Sequence, residues 1–293
     1  TWQEGAEAAP APVEVVNTSE HRSSKVRIDL PIPPAPYYDR KKRDVPQLTE
    51  LWSYINPFML FGRHLGFKGN FEKLLAERDP KALELFHQVE EVKQWAAGFM
   101  KVRAVWQFFE VERHGNAIQL FAHEGKEPVH TFQFGRQPKE DGLCLSDYIL
   151  PAGDDGRRDH IALLVVTAGE GIREKSEECK AKGEYLKAHA LQALAIETAE
   201  GAAEWLHRRI REDWGFADSD EMTMQERFTS RYRGKRYSFG YPACPRLEDQ
   251  APILRLLGAE RLGISLSDEW QLHPEQSTSA LVVLNPQAKY FSV

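Results

Sequence analysis

The stretch from residue 231 to residue 245 reads RYRGKRYSFGYPACP, and it constrains the chain more than any other segment. Its core, Arg236 to Pro245, combines a permanent cation, a glycine, a phenol, a thiol and two prolines. Proline lacks a backbone donor and fixes φ, and the residue before a proline avoids the helical region. We therefore predict a stiff, extended loop that presents an arginine and a tyrosine to a small zwitterionic ligand. The alternative is a proline-stiffened turn between helices.

Composition places the chain among ordinary globular proteins. Of its 293 residues, 42% are hydrophobic and 28% are charged, which suffices for one large domain or two small ones. The net charge of -6 argues against a nucleic-acid partner. No apolar run is long enough to span a bilayer, and the three cysteines form no C-x-x-C pair. These features predict a cytoplasmic protein with reduced thiols and no membrane partner.

The first 36 residues have the composition of a linker. APAPVEVV and LPIPPAP are proline-rich, and the polar stretch NTSEHRSS separates them. We expect residues 1–36 to be extended or disordered and not packed. Since the chain begins with Thr1, we also expect a preceding module on the N-terminal side. The folded body, expected within residues 37–293, should begin near Pro46.

Hydrophobic periodicity predicts an α+β fold. Helical spacing covers residues 70–99 and about 171–213, whereas HIALLVVTAG (160–169) is typical of a buried central strand. A hairpin is indicated at His114-Gly115-Asn116, and SALVVLN (279–285) and AKYFSV (288–293) predict two closing strands. Because strands and helices do not alternate strictly, we predict one large domain with a mixed or antiparallel twisted sheet flanked by long helices.

The sequence lacks the motifs of several common metal-binding, nucleotide-binding and hydrolytic sites. There is no H-E-x-x-H, no G-x-G-x-x-G and no G-x-S-x-G, and the ten histidines show no ligand spacing, so no metal site is predicted. The turn at residues 169–171 indicates only a strand-to-helix connection. Cys244 has no evident base and is interpreted as a packing thiol. The basic cluster at residues 231–236 is the best nucleic-acid candidate, but the rest of the chain is acidic.

Three features could converge on one ligand. Glu200 lies on a predicted helix beside the small residues 201–203, which would leave room for a ligand. Arg236 and Tyr241 lie in the predicted loop, and Tyr290 and Phe291 lie on the last predicted strand. Each has a simpler reading: a solvated helix charge for Glu200, a surface cation for Arg236 and a half-buried strand aromatic for Tyr290.

The motif Arg236-x-x-x-Gly240-Tyr-Pro-Ala-Cys-Pro245 resembles the signature of the C-terminal activation domain of cobalamin-dependent methionine synthase. Further stretches resemble this family in the same order: Val166–Gly169, Ala199–His207, Trp214-Gly215, Pro274-x-x-Ser277-x-Ser279, Asn285-Pro286 and Lys289–Phe291. The resemblance runs from about residue 45 to the end of the chain. It implies that residues 1–36 are the linker from a cobalamin-binding domain.

The resemblance also implies a function. Such domains bind S-adenosylmethionine and supply its methyl group to cobalamin held by the adjacent domain, after the cofactor has been oxidised to cob(II)alamin. A flavodoxin-like or other reductase provides the electron, and methylcobalamin is restored. The chain alone is not expected to make methionine, since the sites for zinc, folate and homocysteine would lie in absent modules. The alternative is a partner-docking module that binds no ligand.

The resemblance assigns roles residue by residue. Arg236 would hold the ligand carboxylate, and Glu200 would meet the ammonium or the ribose. Tyr290, with Phe291, would wall the ligand, backbone groups around Ala243 would contact the adenine, and Tyr241 would face the cobalamin. No side chain is expected to act as an acid or a base.

One segment departs from the family pattern. Relatives commonly carry an aspartate in Y-I-D-W-x-P-F, whereas this chain reads Tyr54-Ile55-Asn56-Pro57-Phe58. Asn56 is the nearest polar equivalent and carries no charge. The loss of the carboxylate would weaken ligand binding or shift its task to Glu200.

Overall fold

The computed structural model describes residues 17–45 and 47–293. The strands found there are β1 (Lys41–Val45), β2 (Val102–His114), β3 (Ala117–Phe121), β4 (Pro128–Gln133), β5 (Asp159–Thr167), β6 (Lys235–Tyr237), β7 (Ser265–Leu266), β8 (Leu272–His273) and β9 (Ser277–Val283). The α-helices are α1 (Leu48–Trp52), α2 (Phe71–Ala76), α3 (Pro80–Ala96), α4 (Ile172–Ala181), α5 (Tyr185–Trp214), α6 (Met224–Phe228) and α7 (Gln250–Leu257). A π-helix spans Phe58–His64, and short 3₁₀ turns span Leu145–Tyr148, Leu247–Asp249 and Ala259–Leu262.

Seven of these strands form one antiparallel sheet in the order β4-β3-β2-β5-β9-β6, with β1 added beside β2. The long strand β2 pairs with β1 through its first half and with β3 through its second half, along the same edge. Its other edge pairs with β5, from Arg103 opposite Thr167 to Val111 opposite Asp159. The predicted α+β class, the hairpin after His114 and the central position of β5 are confirmed.

The sheet is buried on both faces. Alternate residues of β5 enter two separate cores: Ala162, Leu164 and Val166 pack on the side of α5, and Ile161, Leu163 and Val165 pack on the side of α7. A strand covered on both faces needs apolar residues throughout, which explains the uninterrupted run of β5. The predicted long helix is divided near Gly183 into α4 and α5. No helix in the described ranges is long and apolar enough to cross a membrane.

The expectation that residues 1–36 do not pack is wrong for residues 17–36. Val26 is buried in the core on the α7 side. The guanidinium of Arg22 donates to the carbonyl oxygens of Asp147 and Ile149, and the Ser24 amide donates to Asp141 Oδ1 at 2.8 Å. This segment has no helix or strand, but its side chains bind the domain, so the folded body begins well before residue 46. Residues 1–16 lie outside the described ranges.

The prediction of two closing strands is half right. Strand β9 forms, but residues 288–293 are irregular. Both edges of β9 are already occupied, by β5 on one side and by β6 on the other. The terminal segment therefore cannot pair with β9, and it forms no ladder with the edge strand β6. It is held at its end by the Val293 amide, which donates to the Pro242 carbonyl at 3.0 Å.

Small residues on α5 serve close packing against the chain after α1. A β-carbon added to Gly201 would lie 3.0 Å from the carbonyl oxygen of Leu51 and 3.3 Å from the carbonyl carbon of Tyr54. Backbone therefore fills the space that a side chain at residue 201 would occupy. Gly201 also lines a cavity beside Glu200, so the prediction that the small residues here leave room for a ligand stays a prediction. The close approach brings the segment that contains Asn56 alongside Glu200.

We expect Gly201→Ala to destabilise the domain relative to Gly62→Ala. An added methyl at Gly62, in the π-helix, would meet its nearest neighbour at 3.7 Å, an ordinary contact. Alanine improves helix propensity at both sites, so the difference in unfolding free energy isolates the clash at Gly201, about 1–3 kcal/mol. Urea unfolding of both variants measures it. Equal stability of the two would contradict the close approach.

Candidate functional site

Arg236 lies on a strand, which corrects the prediction that it lies in a stiff loop. Strand β6 pairs with β9 at the edge of the sheet, with Arg236 opposite Val282. The prolines at 242 and 245 come after β6 and do not interrupt its pairing. The guanidinium thus projects from a backbone that the sheet holds in register.

The proline-rich stretch after β6 is a tight turn, not the predicted extended segment. The Cys244 amide donates to the Tyr241 carbonyl at 3.0 Å, and the Gly240 amide donates to the Cys244 carbonyl at 2.9 Å. Gly240 has φ +93°, and a β-carbon there would lie 2.5 Å from Leu247 Cδ2, so only glycine fits. Burial raises the pKa of Cys244 to about 12, which keeps this thiol protonated.

A first cavity of about 530 Å³ lies between this turn, α5 and the C-terminal segment. Its lining residues are Glu200, Arg236, Tyr237, Ser238, Tyr241, Pro242, Ala243, Cys244, Tyr290, Phe291 and Ser292. The structure thus brings together all the predicted ligand and cobalamin residues except Asn56. Within the described part of the chain, neither backbone group of Ala243 has an intramolecular hydrogen bond.

A second cavity of about 380 Å³ adjoins the first. Its lining residues are Tyr54, Asn56, Met59, His64, Ile196, Glu197, Glu200, Gly201, Glu204, Phe228, Arg236 and Tyr241. Three of them, Glu200, Arg236 and Tyr241, also line the first cavity. The two cavities therefore meet at a carboxylate, a guanidinium and a phenol.

Asn56 lies in the second cavity and is already engaged. Its side-chain oxygen Oδ1 accepts a hydrogen bond from the Phe58 amide at 3.0 Å, at the start of the π-helix. The backbone carbonyl of Asn56 accepts from the Met59 and Leu60 amides. The amide nitrogen has no intramolecular partner in the described structure, and as a donor it cannot bind a cation.

Arg236 is anchored by an ion pair with Glu204 on α5. Its Nη1 atom donates to Glu204 Oε2 at 2.8 Å and lies 3.3 Å from the Tyr232 hydroxyl. Burial disfavours the charged guanidinium, but Glu204 and the other nearby acidic groups outweigh it and raise the pKa of Arg236. With only 17% of its side chain exposed, Arg236 is not the surface cation of the simpler reading.

Glu200 sits where the two cavities meet, and its side chain is exposed to them. Desolvation by the surrounding walls raises its pKa, the nearby Arg236 opposes this shift, and Glu204 adds to it. Glu200 therefore takes up a proton more readily than an ordinary glutamate, unless a cation binds beside it.

Sequence reasoning missed two further glutamates on the same helix face. Glu197, Glu200 and Glu204 recur at intervals of three and four residues, which places them along one side of α5. Glu197 is buried, lies 2.8 Å from His64 Nε2, and has its pKa raised by desolvation. The sequence feature that could have identified them is the recurrence of three carboxylates along an otherwise apolar helix face.

Aromatic side chains line the opening of the first cavity. Tyr290 is 53% exposed, and its hydroxyl donates to the Arg236 carbonyl at 3.1 Å. Its ring meets Tyr237 edge to face, with centroids 5.5 Å apart. Tyr241 is 64% exposed, and Glu200 raises the pKa of its phenol. Tyr290 belongs to the irregular terminal segment, so the reading as a strand aromatic is wrong.

Most of the cationic side chains in the basic cluster at residues 231–236 make intramolecular contacts. The Arg233 guanidinium lies 3.7 Å from the Phe216 ring centroid and donates to the Leu284 carbonyl. The Lys235 ammonium donates to the carbonyls of Tyr232 and Gly234. The cluster therefore does not present a row of free cations, which disfavours nucleic-acid binding.

Comparisons with known proteins agree with this arrangement. The family model described as "Vitamin B12 dependent methionine synthase, activation domain" matches residues 47–293. A methionine synthase of Mycobacterium tuberculosis (strain ATCC 25618 / H37Rv) is 32% identical over 306 residues, covering 98% of this chain and 25% of the relative. A methionine synthase of Mycobacterium leprae (strain TN) is 30% identical over 305 residues, covering 98% and 24%. The chain thus spans about a quarter of the length of these relatives.

A solved structure shares the fold. It is titled "Crystal Structure of the MetH Reactivation Domain bound to AdoHcy", and it superposes with a TM-score of 0.81 at 24% sequence identity. The match covers 89% of this chain and 83% of that chain. At this identity the likeness supports the architecture described above.

We expect Arg236→Met to cost about 3–5 kcal/mol of unfolding free energy, because it leaves the Glu204 carboxylate buried without its cation. The double variant Arg236→Met/Glu204→Met should recover most of that loss, since two apolar side chains leave no buried charge unpaired. Chemical denaturation measures both. As a control, Arg157→Met removes the exposed pair with Asp155 and should cost less than about 1 kcal/mol. A double variant no more stable than Arg236→Met would argue against the buried pair.

Proposed function

The chain belongs to the family of vitamin B12-dependent methionine synthase activation domains, and we propose that it binds S-adenosylmethionine and supplies its methyl group to reactivate a cobalamin cofactor held by a neighbouring domain. The observation that carries this proposal is the meeting of Glu200, Arg236 and Tyr241 at two adjoining cavities. The related reactivation domain was solved with AdoHcy, S-adenosylhomocysteine, which is the demethylated form of the proposed ligand.

The charges of the cavity walls support a ligand that is cationic overall. S-adenosylmethionine carries a carboxylate, an ammonium and a sulfonium. Arg236 would bind the carboxylate through charge-assisted hydrogen bonds from the nitrogens that Glu204 leaves free. The three glutamates of α5 outnumber this cation, so the walls favour the positive charges of the ligand. Glu200 would meet the ammonium or the ribose hydroxyls.

The adenosyl end would lie in the first cavity. The free backbone N–H and C=O of Ala243 suit the edge of an adenine, which offers both donors and acceptors. Tyr290 and Phe291 would wall the ligand from the side of the C-terminal segment. A sulfonium near the exposed Tyr290 ring would gain cation–π attraction of about 0.5–2 kcal/mol.

The protein's contribution to methyl transfer would be position and exclusion of water. A cobalamin held by the neighbouring domain would supply the nucleophile after reduction by a flavodoxin-like or other reductase. The sulfonium is itself a good leaving group, so no side chain needs to move a proton. The ion pair with Glu204 would hold Arg236 and thus the carboxylate end, while Tyr241 at the cavity mouth would face the cobalamin.

Methionine synthesis itself would need the rest of the protein. Because the chain spans about a quarter of its relatives, the sites for zinc, folate and homocysteine are proposed for other modules. The connection to the cobalamin-binding domain would precede the packed segment 17–36.

A docking module without ligand is the second candidate. Phe58 and Tyr241 are 61% and 64% exposed, and both belong to segments that line the second cavity. Exposed aromatic side chains of this kind are typical of protein interfaces. Such a module would bind the cobalamin domain without S-adenosylmethionine.

Calorimetric titration with S-adenosylmethionine separates the two candidates. We expect saturable binding to the wild-type chain, and a loss of at least about tenfold in Arg236→Ala and in Glu200→Gln, since each removes a charged contact. Glu200→Gln leaves the Arg236–Glu204 pair intact, so it tests the site without unpairing a buried charge. Arg157→Ala, at an exposed residue that lines neither cavity, is the matched control. Docking to the cobalamin domain with no binding of S-adenosylmethionine would favour the second candidate.

Binding should weaken as the pH falls. A cationic ligand binds the ionised form of Glu200, and desolvation raises the pKa of this group, so protonation competes with the ligand at a higher pH than for an ordinary glutamate. Titrations from about pH 7 down to about pH 5, where the ligand's ammonium stays charged, should show a declining affinity. Glu200→Gln should bind more weakly with a shallower dependence, the remainder coming from Glu197. A wild-type affinity that stays constant over this range would refute the role of Glu200.

A further inference from the structure

One carboxylate oxygen of Glu204 has no hydrogen-bond partner in the described structure. Its Oε2 atom accepts from Arg236 Nη1 at 2.8 Å, whereas its Oε1 atom is buried and has no hydrogen-bond partner in the described structure. The residue is 7% exposed and lines the second cavity. A buried carboxylate oxygen without a donor is costly, so this atom indicates that a donor binds beside it.

The surroundings of the second cavity offer acceptors and few donors. Glu197 and Glu200 add two carboxylates to its wall. The Nε2 atom of His64 is engaged with Glu197, and the Asn56 amide nitrogen is one of the few neutral donors left in the wall. A ligand that enters this cavity must therefore bring several donors and a positive charge. A primary ammonium, with three N–H donors, meets both requirements.

Arg236 and Glu204 together present a matched set of groups. Within the ranges described, the hydrogen bonds of the guanidinium all involve Nη1, which leaves Nη2 and Nε as donors. Glu204 leaves Oε1 as an acceptor. Two donors beside one acceptor complement the carboxylate and the ammonium that an α-amino acid carries on one carbon.

We propose that Glu204 accepts a hydrogen bond from the ammonium group of the ligand while it positions Arg236 for the carboxylate. The inference rests on the proposed binding of S-adenosylmethionine and specifies the ligand's orientation. The amino-acid end occupies the second cavity, and the adenosyl end occupies the first. Glu204 is then a specificity residue that distinguishes α-amino-acid ligands from other adenosyl compounds.

Three ligands test this role in the variant Glu204→Gln. S-adenosylmethionine carries a carboxylate, an ammonium and a sulfonium, decarboxylated S-adenosylmethionine lacks only the carboxylate, and 5′-methylthioadenosine lacks all three charges. By calorimetry, the variant should bind the first two at least about tenfold more weakly than wild type and should bind 5′-methylthioadenosine equally well. Glu212→Gln, an exposed glutamate on the same helix, is the control and should match wild type.

The outcomes separate the possible failures. If Glu204 only positions Arg236, the variant loses affinity for S-adenosylmethionine but not for the decarboxylated ligand, and the proposed ammonium contact is overturned. An equal loss for all three ligands overturns it too, since it would reflect a general disturbance of the site. Wild-type protein that binds none of the three refutes the proposed function, whereas wild-type binding that Glu204→Gln leaves unchanged refutes only this inference.

A second variant tests the placement without touching the ion pair. Asn56→Asp adds a carboxylate to the second cavity, and its oxygen can still accept from the Phe58 amide. The variant should tighten binding of both ammonium-bearing ligands about two- to tenfold and leave 5′-methylthioadenosine unchanged. Unchanged or weaker binding of the two ammonium-bearing ligands would place the ammonium elsewhere.

Discussion

The buried ion pair between Arg236 and Glu204 is the interaction on which the site depends. A guanidinium cannot shed its charge, so burying it requires a carboxylate in contact, and the 2.8 Å bond provides one. The pair ties β6, at the edge of the sheet, to α5, which covers one face of that sheet. It thereby fixes the separation of the two elements between which both cavities open. The same contact leaves Nη2 and Nε of Arg236 and Oε1 of Glu204 without intramolecular hydrogen bonds in the described structure.

Other parts of the site are held by backbone contacts that only glycine permits. At Gly201 the chain after α1 lies against α5 with no space for a methyl group, which brings Asn56 beside the second cavity. At Gly240 a left-handed residue closes the turn that offers the backbone of Ala243. The site thus draws on segments more than two hundred residues apart, from Asn56 to Tyr290, and each is located by main-chain geometry. Side chains placed in this way would need little reorganisation to bind the proposed ligand.

Sequence patterns predicted the elements well where burial alone decides them. Strand β5 is apolar throughout because both of its faces are covered, and the hairpin after His114 needed only its turn residues. Patterns failed where an element depends on a neighbour. The segment AKYFSV alternates like a strand but is irregular, and both edges of the preceding strand β9 are already taken by β5 and β6. Residues 17–36 have the composition of a linker, yet Val26 and Arg22 find partners across the domain.

The sequence by itself determined the family, the α+β class and the residues that meet at the first cavity, because a motif records residue identity and order directly. Only the tertiary structure decided that Arg236 lies on a strand, that Glu204 is its partner and that Asn56 belongs to a separate cavity. Those facts depend on distances between segments remote in the chain. Such distances arise from sheet pairing and helix packing, which the local periodicity of a sequence does not specify.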